Sequence, residues 1–319
     1  MSKGHVMDLD QLTTAKFSNP VVTADGSARA HVAFTGLDTL WFNTGTLCNL
    51  ACRNCYIESS PRNDALVYLT RAEVRAFLDE AAGLAHPPAE IGFTGGEPFM
   101  NPDMIGMMAD ALEAGFRVLI LTNAMKPMQH VKPALATLNA EHPGKLSLRV
   151  SLDGYRQRDH EDLRGPRSWA PTLDGLTWLV AEGFDISVAG RTIWGEDEAT
   201  TRAGFAALYA ELGLALDAAH PTRLVLFPEM DEAHDVPEIT EQCWTILDKS
   251  PASVMCANSR MVVKARGRAV PHVVSCTLLP YADDFDMGTT LAEASKPVAL
   301  NHRFCAQFCV LGGASCSAA

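Results

Sequence analysis

From about Asp38 the chain repeats one grammar: a short apolar or β-branched run, a turn, a segment of helical period, then another apolar run. The runs near 38–47, 88–95, 116–123, 145–152, 184–193 and 222–228 read as strands. The third, FRVLILTN, is almost continuously apolar, as expected of a parallel strand covered on both faces. The segments between them carry helix signals. Thr70 and Glu73 make a capping box, after which Val74, Phe77, Leu78 and Ala81 recur on one face. Asn101 before Pro102 reads as an N-cap with proline in the first turn, and Gly115 supplies the stop. Further helices are expected near 132–140, 172–182 and 200–212. Strands alternating with helices define an α/β fold with a parallel sheet and right-handed crossovers. A doubly wound sheet and a partial (βα)6 barrel both fit. In either, the site belongs at the C-terminal ends of the strands, where the βα loops gather.

The grammar covers only the middle of the chain. Residues 1–37 are irregular and read as an extension that packs onto the domain. After about residue 235 a helix near 237–249 precedes a hairpin with its turn at Arg266-Gly267, and the remainder is loop-rich. The expected division is therefore 1–37, 38–235 and 236–319, the last a small cysteine-rich hairpin module. With 47% hydrophobic and 20% charged residues among 319, a sizeable core is possible. A formal net charge of -12 without a basic run disfavours nucleic acid as a partner. No apolar stretch has the length to span a bilayer, and the N-terminus lacks an apolar signal core, so no membrane partner and a cytoplasmic location are expected. Nine cysteines in a reducing compartment point to metal binding or catalysis rather than disulfides.

Cys48, Cys52 and Cys55 stand in a CxxxCxxC spacing directly after the first strand. Three thiolates on one loop can grip three corners of a cubane cluster and leave one iron open, as a reactive site requires. A zinc knuckle completed by a distant Cys or His is the competing reading of the spacing alone. The next residue is aromatic, Tyr56, and the second strand ends in Thr94-Gly95-Gly96-Glu97-Pro98. Together these motifs resemble the radical S-adenosylmethionine (radical SAM) superfamily.

The resemblance implies an enzyme with a catalytic [4Fe–4S] cluster on Cys48, Cys52 and Cys55. The open iron would be chelated by the amino and carboxylate groups of S-adenosylmethionine. The cluster would supply one electron to the sulfonium, and the 5'-deoxyadenosyl radical so formed would abstract hydrogen from a substrate. It further implies cofactor contacts from Tyr56 and from Gly95, Gly96 and Glu97, where glycine lets backbone approach a ligand. The SLDG…H…RG pattern at Ser151-Leu152-Asp153-Gly154, His160 and Arg164-Gly165 implies that Ser151 and Arg164 hold polar groups of the cofactor. Asn123 and Arg191 point at the same mouth, and Glu229 and Asp231 are candidates for touching substrate or accepting a proton.

The C-terminal cysteines extend the likeness. Cys256, Gly267 and Cys276 form a C…G…C hairpin pattern, followed by Cys305, Cys309 and Cys316. This resembles the SPASM and twitch modules that bind auxiliary [4Fe–4S] clusters. A full SPASM module has seven or more cysteines, so one auxiliary cluster on four of these five is the economical reading. Cys243 reads as core. The expected activity is radical oxidation or cross-linking of a small molecule or peptide, fed by a low-potential donor such as a flavodoxin or ferredoxin. Alternatives of other classes are a non-catalytic iron–sulfur electron-transfer or sensor protein, and a zinc-stabilised binding module.

Overall fold

The computed structural model describes residues 15–314, apart from 193 and 232. Six parallel strands run in chain order across the sheet: β2 (Thr39–Asn43), β3 (Glu90–Thr94), β4 (Arg117–Thr122), β5 (Leu146–Ser151), β6 (Asp185–Arg191) and β7 (Leu224–Phe227). All six fall within the runs expected from the sequence. A doubly wound sheet reverses its strand order at a switch point. Here the order never reverses, so the sheet is that of an opened (βα) barrel, with all C-terminal ends at one mouth.

The covering helices are α1 (Arg71–Ala82), α2 (Met104–Glu113), α3 (Lys126–His130), α4 (Lys132–Glu141), α5 (Gln157–Arg164), α6 (Trp169–Ala181) and α7 (Glu198–Glu211). Helix α1 follows its sequence signals closely. Thr70 accepts from the Glu73 amide, Glu73 accepts in return from the Thr70 amide, and Val74, Phe77, Leu78 and Ala81 are the buried face. Two expectations need correction. Helix α2 begins at Met104 rather than just after Asn101, because a turn at Pro102-Asp103, held by Asn101, precedes it. The Asn101 Oδ1 accepts from the Asp103 amide at 2.9 Å while its Nδ2 donates to the carbonyls of Thr44 and Leu69. The helix expected over 237–249 shrinks to α8, Cys243–Ile246. Its leading residues are drawn out against the N-terminal segment, with Arg29 bridged to Thr240 and Ala30 donating to the Ile239 carbonyl. Helix α5, which carries His160 and Arg164, has too few apolar positions to betray itself by period, and was not anticipated.

The C-terminal hairpin forms as expected, from β8 (Ser259–Val263) and β9 (His272–Val274) around a turn where Gly267 takes φ +86°. Its placement was not legible. Strand β8 pairs in parallel with β2, Thr39 opposite Ser259, and β10 (Asp286–Gly288) adds beyond β9, so one sheet of nine strands runs unbroken past residue 235. The N-terminal segment closes over this region: β1 (His31–Val32) pairs with β11 (Val298–Ala299).

Both partners of the ion pair that anchors that segment are buried. The Arg29 guanidinium lies 2.5 Å from Glu238, whose carboxylate also accepts from the amides of Phe17 and Ala24. Removing one member strands the other charge in a site without water. Glu238→Ala should therefore lower unfolding free energy by about 3–5 kcal/mol in denaturant titration. A loss within ±0.5 kcal/mol would show the segment to be unimportant to the fold.

Candidate active site

The strand ends and their loops enclose a cleft of about 1100 Å³, part of it open to solvent. Cys48, Cys52 and Cys55 all line it. The loop that carries them is fixed by backbone. The Gly96 amide donates to the Gly45 carbonyl at 2.8 Å and the Glu97 amide to the Leu47 carbonyl at 3.1 Å. A Cβ on Gly96 would lie 2.1 Å from the Leu47 carbonyl oxygen, and one on Gly95 would lie 2.6 Å from that of Gly45. Gly95 also takes φ +149°. Both glycines line the cleft, but their absent side chains are filled by the cysteine loop itself. The Thr-Gly-Gly motif is thus first a seat for the loop.

Glu97, expected to contact the cofactor, lies apart from the cleft lining. Its carboxylate does not line the cleft; it sits behind the wall, accepting from Thr122 Oγ1 and the Asn123 amide at 2.8 Å and from the Phe99 amide. Burial pushes its carboxyl up to about 7, against the pull of these donors. It positions the end of β4, including Asn123, which does line the cleft and donates to Asn49 Oδ1 in the cysteine loop.

Tyr56, Ser151, Arg164 and Arg191 are brought together here as well. Arg164 donates from Nε to Asp153 Oδ2 at 2.6 Å, with a longer second bond to Oδ1. Arg191 places Nε 3.6 Å from the same carboxylate, donates to the Asn54 carbonyl and lies 4.2 Å over the Tyr56 ring. Burial works against the Asp153 charge, but the two guanidiniums outweigh it and hold the carboxyl below its usual range. The Tyr56 hydroxyl donates to the Pro228 carbonyl. Glu229 and Asp231 do not line the cleft: Glu229 accepts from Asn54 Nδ2 outside it, and Asp231 caps its own loop through the Ala233 amide.

Among the contributors that sequence reasoning missed, three bear on the site's chemistry or closure. Asp153 was quoted within SLDG but given no role, although a buried acid beside a buried arginine of the same motif is a recognisable pair. Thr277 and Leu278 enter the cleft from the segment after β9, a non-local contact with no local signal.

A second cavity, lined by apolar side chains and thiols, gathers four of the five C-terminal cysteines: Cys256, Cys276, Cys305 and Cys309. Cys305 and Cys309 share one short π-helical segment, Cys305–Val310. Cys316 lies outside the described residues. Cys243 packs half-buried against the core, with its sulfur at Thr240.

Burial pushes three of these thiols up, Cys48 and Cys305 to about 12 and Cys256 to about 11, so these would be protonated without a cation to replace the proton. Among the described residues no three His, Cys, Asp or Glu side chains converge closely enough for a single metal ion. Thiols spread around a cavity wall suit a polynuclear cluster, whose cysteine sulfurs stand further apart than those of one tetrahedral zinc.

A family model described as the radical SAM superfamily matches residues 42–200. The AdoMet-dependent heme synthase of Methanosarcina barkeri (strain Fusaro) is 30% identical over 142 residues, which are 44% of this chain and 38% of that one. The antilisterial bacteriocin subtilosin biosynthesis protein AlbA of Bacillus subtilis (strain 168) is 29% identical over 44% of this chain and 30% of its own. Mycofactocin maturase MftC of Mycobacterium ulcerans (strain Agy99) is 28% identical over 43% and 35%. The chain thus matches about a third of the length of these relatives. Among solved structures, Streptococcus suis SuiB bound to S-adenosylmethionine superposes with a TM-score of 0.58 at 12% identity, over 80% of this chain and 63% of that one. Native anSMEcpe with bound AdoMet gives 0.58 at 14%, over 83% and 82%. The fold is that of the radical SAM enzymes, an α/β partial barrel. The chain belongs to the radical SAM superfamily.

The Gly96 contact can be tested directly. Gly96→Ala should leave far-UV circular dichroism near wild type but cost the N-terminal site its iron, because the loop must shift to admit one methyl group. Iron and sulfide analysis of anaerobically reconstituted protein in a background lacking the C-terminal cysteines reads this out. Full iron retention would show that the loop is not seated by Gly96.

Proposed function

We propose that this protein cleaves S-adenosylmethionine reductively at a [4Fe–4S] cluster held by Cys48, Cys52 and Cys55, and oxidises or cross-links a small molecule or peptide. The observation that carries the reading is the convergence of those three thiols with Ser151, Arg164 and Arg191 on one cleft at the strand ends. When bound, the cluster and cofactor supply the electron and the carbon radical that a protein side chain cannot.

The chain's own groups do the rest. Gly95 and Gly96 seat the cysteine loop, and Glu97 holds the neighbouring wall. Asp153 fixes the Arg164 guanidinium, leaving the outer N–H groups of Arg164 and Arg191 with Ser151 to meet the polar end of the cofactor. Tyr56, braced by its hydroxyl and by Arg191, shields the loop.

We take residues 38–235 as the catalytic core, 1–37 as its extension and 236–319 as an auxiliary iron–sulfur module. In that module Cys256, Cys276, Cys305 and Cys309 are the ligands, leaving Cys316 unused. Four thiolates close the site, which favours electron relay over binding of substrate. Names among the relatives speak of bacteriocin biosynthesis, mycofactocin maturation and heme synthesis, which supports a peptide or a small molecule alike. A flavodoxin or ferredoxin would provide the low-potential electron.

The test follows 5'-deoxyadenosine by mass in an anaerobic assay with dithionite and S-adenosylmethionine. Wild type should form it; a Cys48→Ala, Cys52→Ala, Cys55→Ala variant should form none, lose about four irons and keep about four. Zinc in place of iron in wild type, or undiminished product from the variant, would sink the proposal.

A further inference from the structure

Arg260, on β8, is 2% exposed. Its guanidinium donates only to carbonyls: Nε to Ala294, Nη1 to Cys256 and Ser259 at 2.7 Å, and Nη2 to Lys296. Its far face lies 4.4 Å over the Phe34 ring. Among the described residues no carboxylate forms an ion pair with it. The other buried arginine of this region, Arg29, has Glu238. A guanidinium remains a cation at neutral pH even when buried. A buried charge without a counter-charge costs several kcal/mol, and carbonyl dipoles satisfy its N–H groups without cancelling it.

The groups able to supply negative charge are the thiols of Cys256 and Cys276. The Arg260 Nη1 is bonded to the backbone of Cys256 itself, and Cys276 lines the same cavity as Cys256. Protonated thiols offer no such charge. Four thiolates around an iron–sulfur cluster do, because their charge exceeds that of the cluster core. The assembly is anionic when oxidised and more so after gaining one electron.

We infer that Arg260 is the built-in counter-ion of an anionic group held by Cys256, Cys276, Cys305 and Cys309, and that it raises the reduction potential of that group. The inference rests on the auxiliary-cluster reading above. It makes Arg260 a positioning and tuning residue, since it touches neither substrate nor the cleft. A fixed positive charge stabilises the reduced, more negative state over the oxidised one. Arg260 is buried, so added salt should screen the effect less than it would at a surface.

The experiment uses the full chain carrying Cys48→Ala, Cys52→Ala and Cys55→Ala, reconstituted anaerobically, so that any remaining cluster is the C-terminal one. A redox titration followed by electron paramagnetic resonance compares Arg260, Arg260→Lys and Arg260→Gln. Gln should disfavour reduction on the order of tenfold, a fall of about 59 mV for one electron, while Lys stays near the parent. Equal potentials in all three proteins would overturn the inference while leaving the auxiliary cluster standing. No iron–sulfur signal in the parent would instead overturn the cluster reading itself.

Should Gln fail to hold iron, thermal melting decides. Arg260→Met should cost more in melting temperature in the cluster-bearing protein than in a Cys276→Ser background, where the counter-charge is already gone. Equal costs in the two backgrounds would show Arg260 to be a packing residue only.

Discussion

The site depends on two successive peptide units having no room beside them. The loop after β2 can lie on the end of β3 only because Gly95 and Gly96 present bare backbone there, and the Gly96 and Glu97 amides then fasten it. Everything at the mouth inherits its position from that contact. It sets where Cys48 leaves the strand, how Asn49 meets Asn123, and how far Tyr56 reaches across toward β7. Packing at such a junction is close to crystalline density, so its placement is fixed to within the width of an atom. Trp41 and Gly92 repeat the device one step deeper. A side chain on Gly92 would meet the Trp41 ring at 2.4 Å, and that ring floors the cleft.

Charge is handled by opposite means in the two cysteine-lined cavities. In the cleft, one carboxylate, Asp153, serves two guanidiniums, leaving donors that face an open space. Beside the second cavity the Arg260 guanidinium is wrapped in carbonyls and pairs with no carboxylate among the described residues. The first arrangement suits a place where a charged molecule comes and goes. The second suits a permanent resident.

The six strands and the capping box of α1 were legible because burial on both faces and helical period are local properties of sequence. The CxxxCxxC and Thr-Gly-Gly motifs were legible as chemistry. What they do to each other was not, since the need for glycine at 96 comes from Leu47, far off in the chain. The same holds for Glu97, whose acid looked available until Thr122 and the Asn123 amide claimed it. The helix over 237–249 failed because Glu238 is drawn toward Arg29, a tertiary pull that overrides local preference. The parallel pairing of β8 with β2 joins residues more than two hundred positions apart, beyond the reach of any window.

Leu278 borders both cavities, with Cys276 two residues before it and Thr277 facing the cleft. One side chain therefore belongs to two rooms. A lineage that reshaped the cleft for a bulkier guest could not freely trim this wall, because the far room would lose its seal against water and oxygen. Diversification is then channelled toward the parts of the rim away from Leu278. Variety in what the cleft admits would be written there, in walls that answer to one room only.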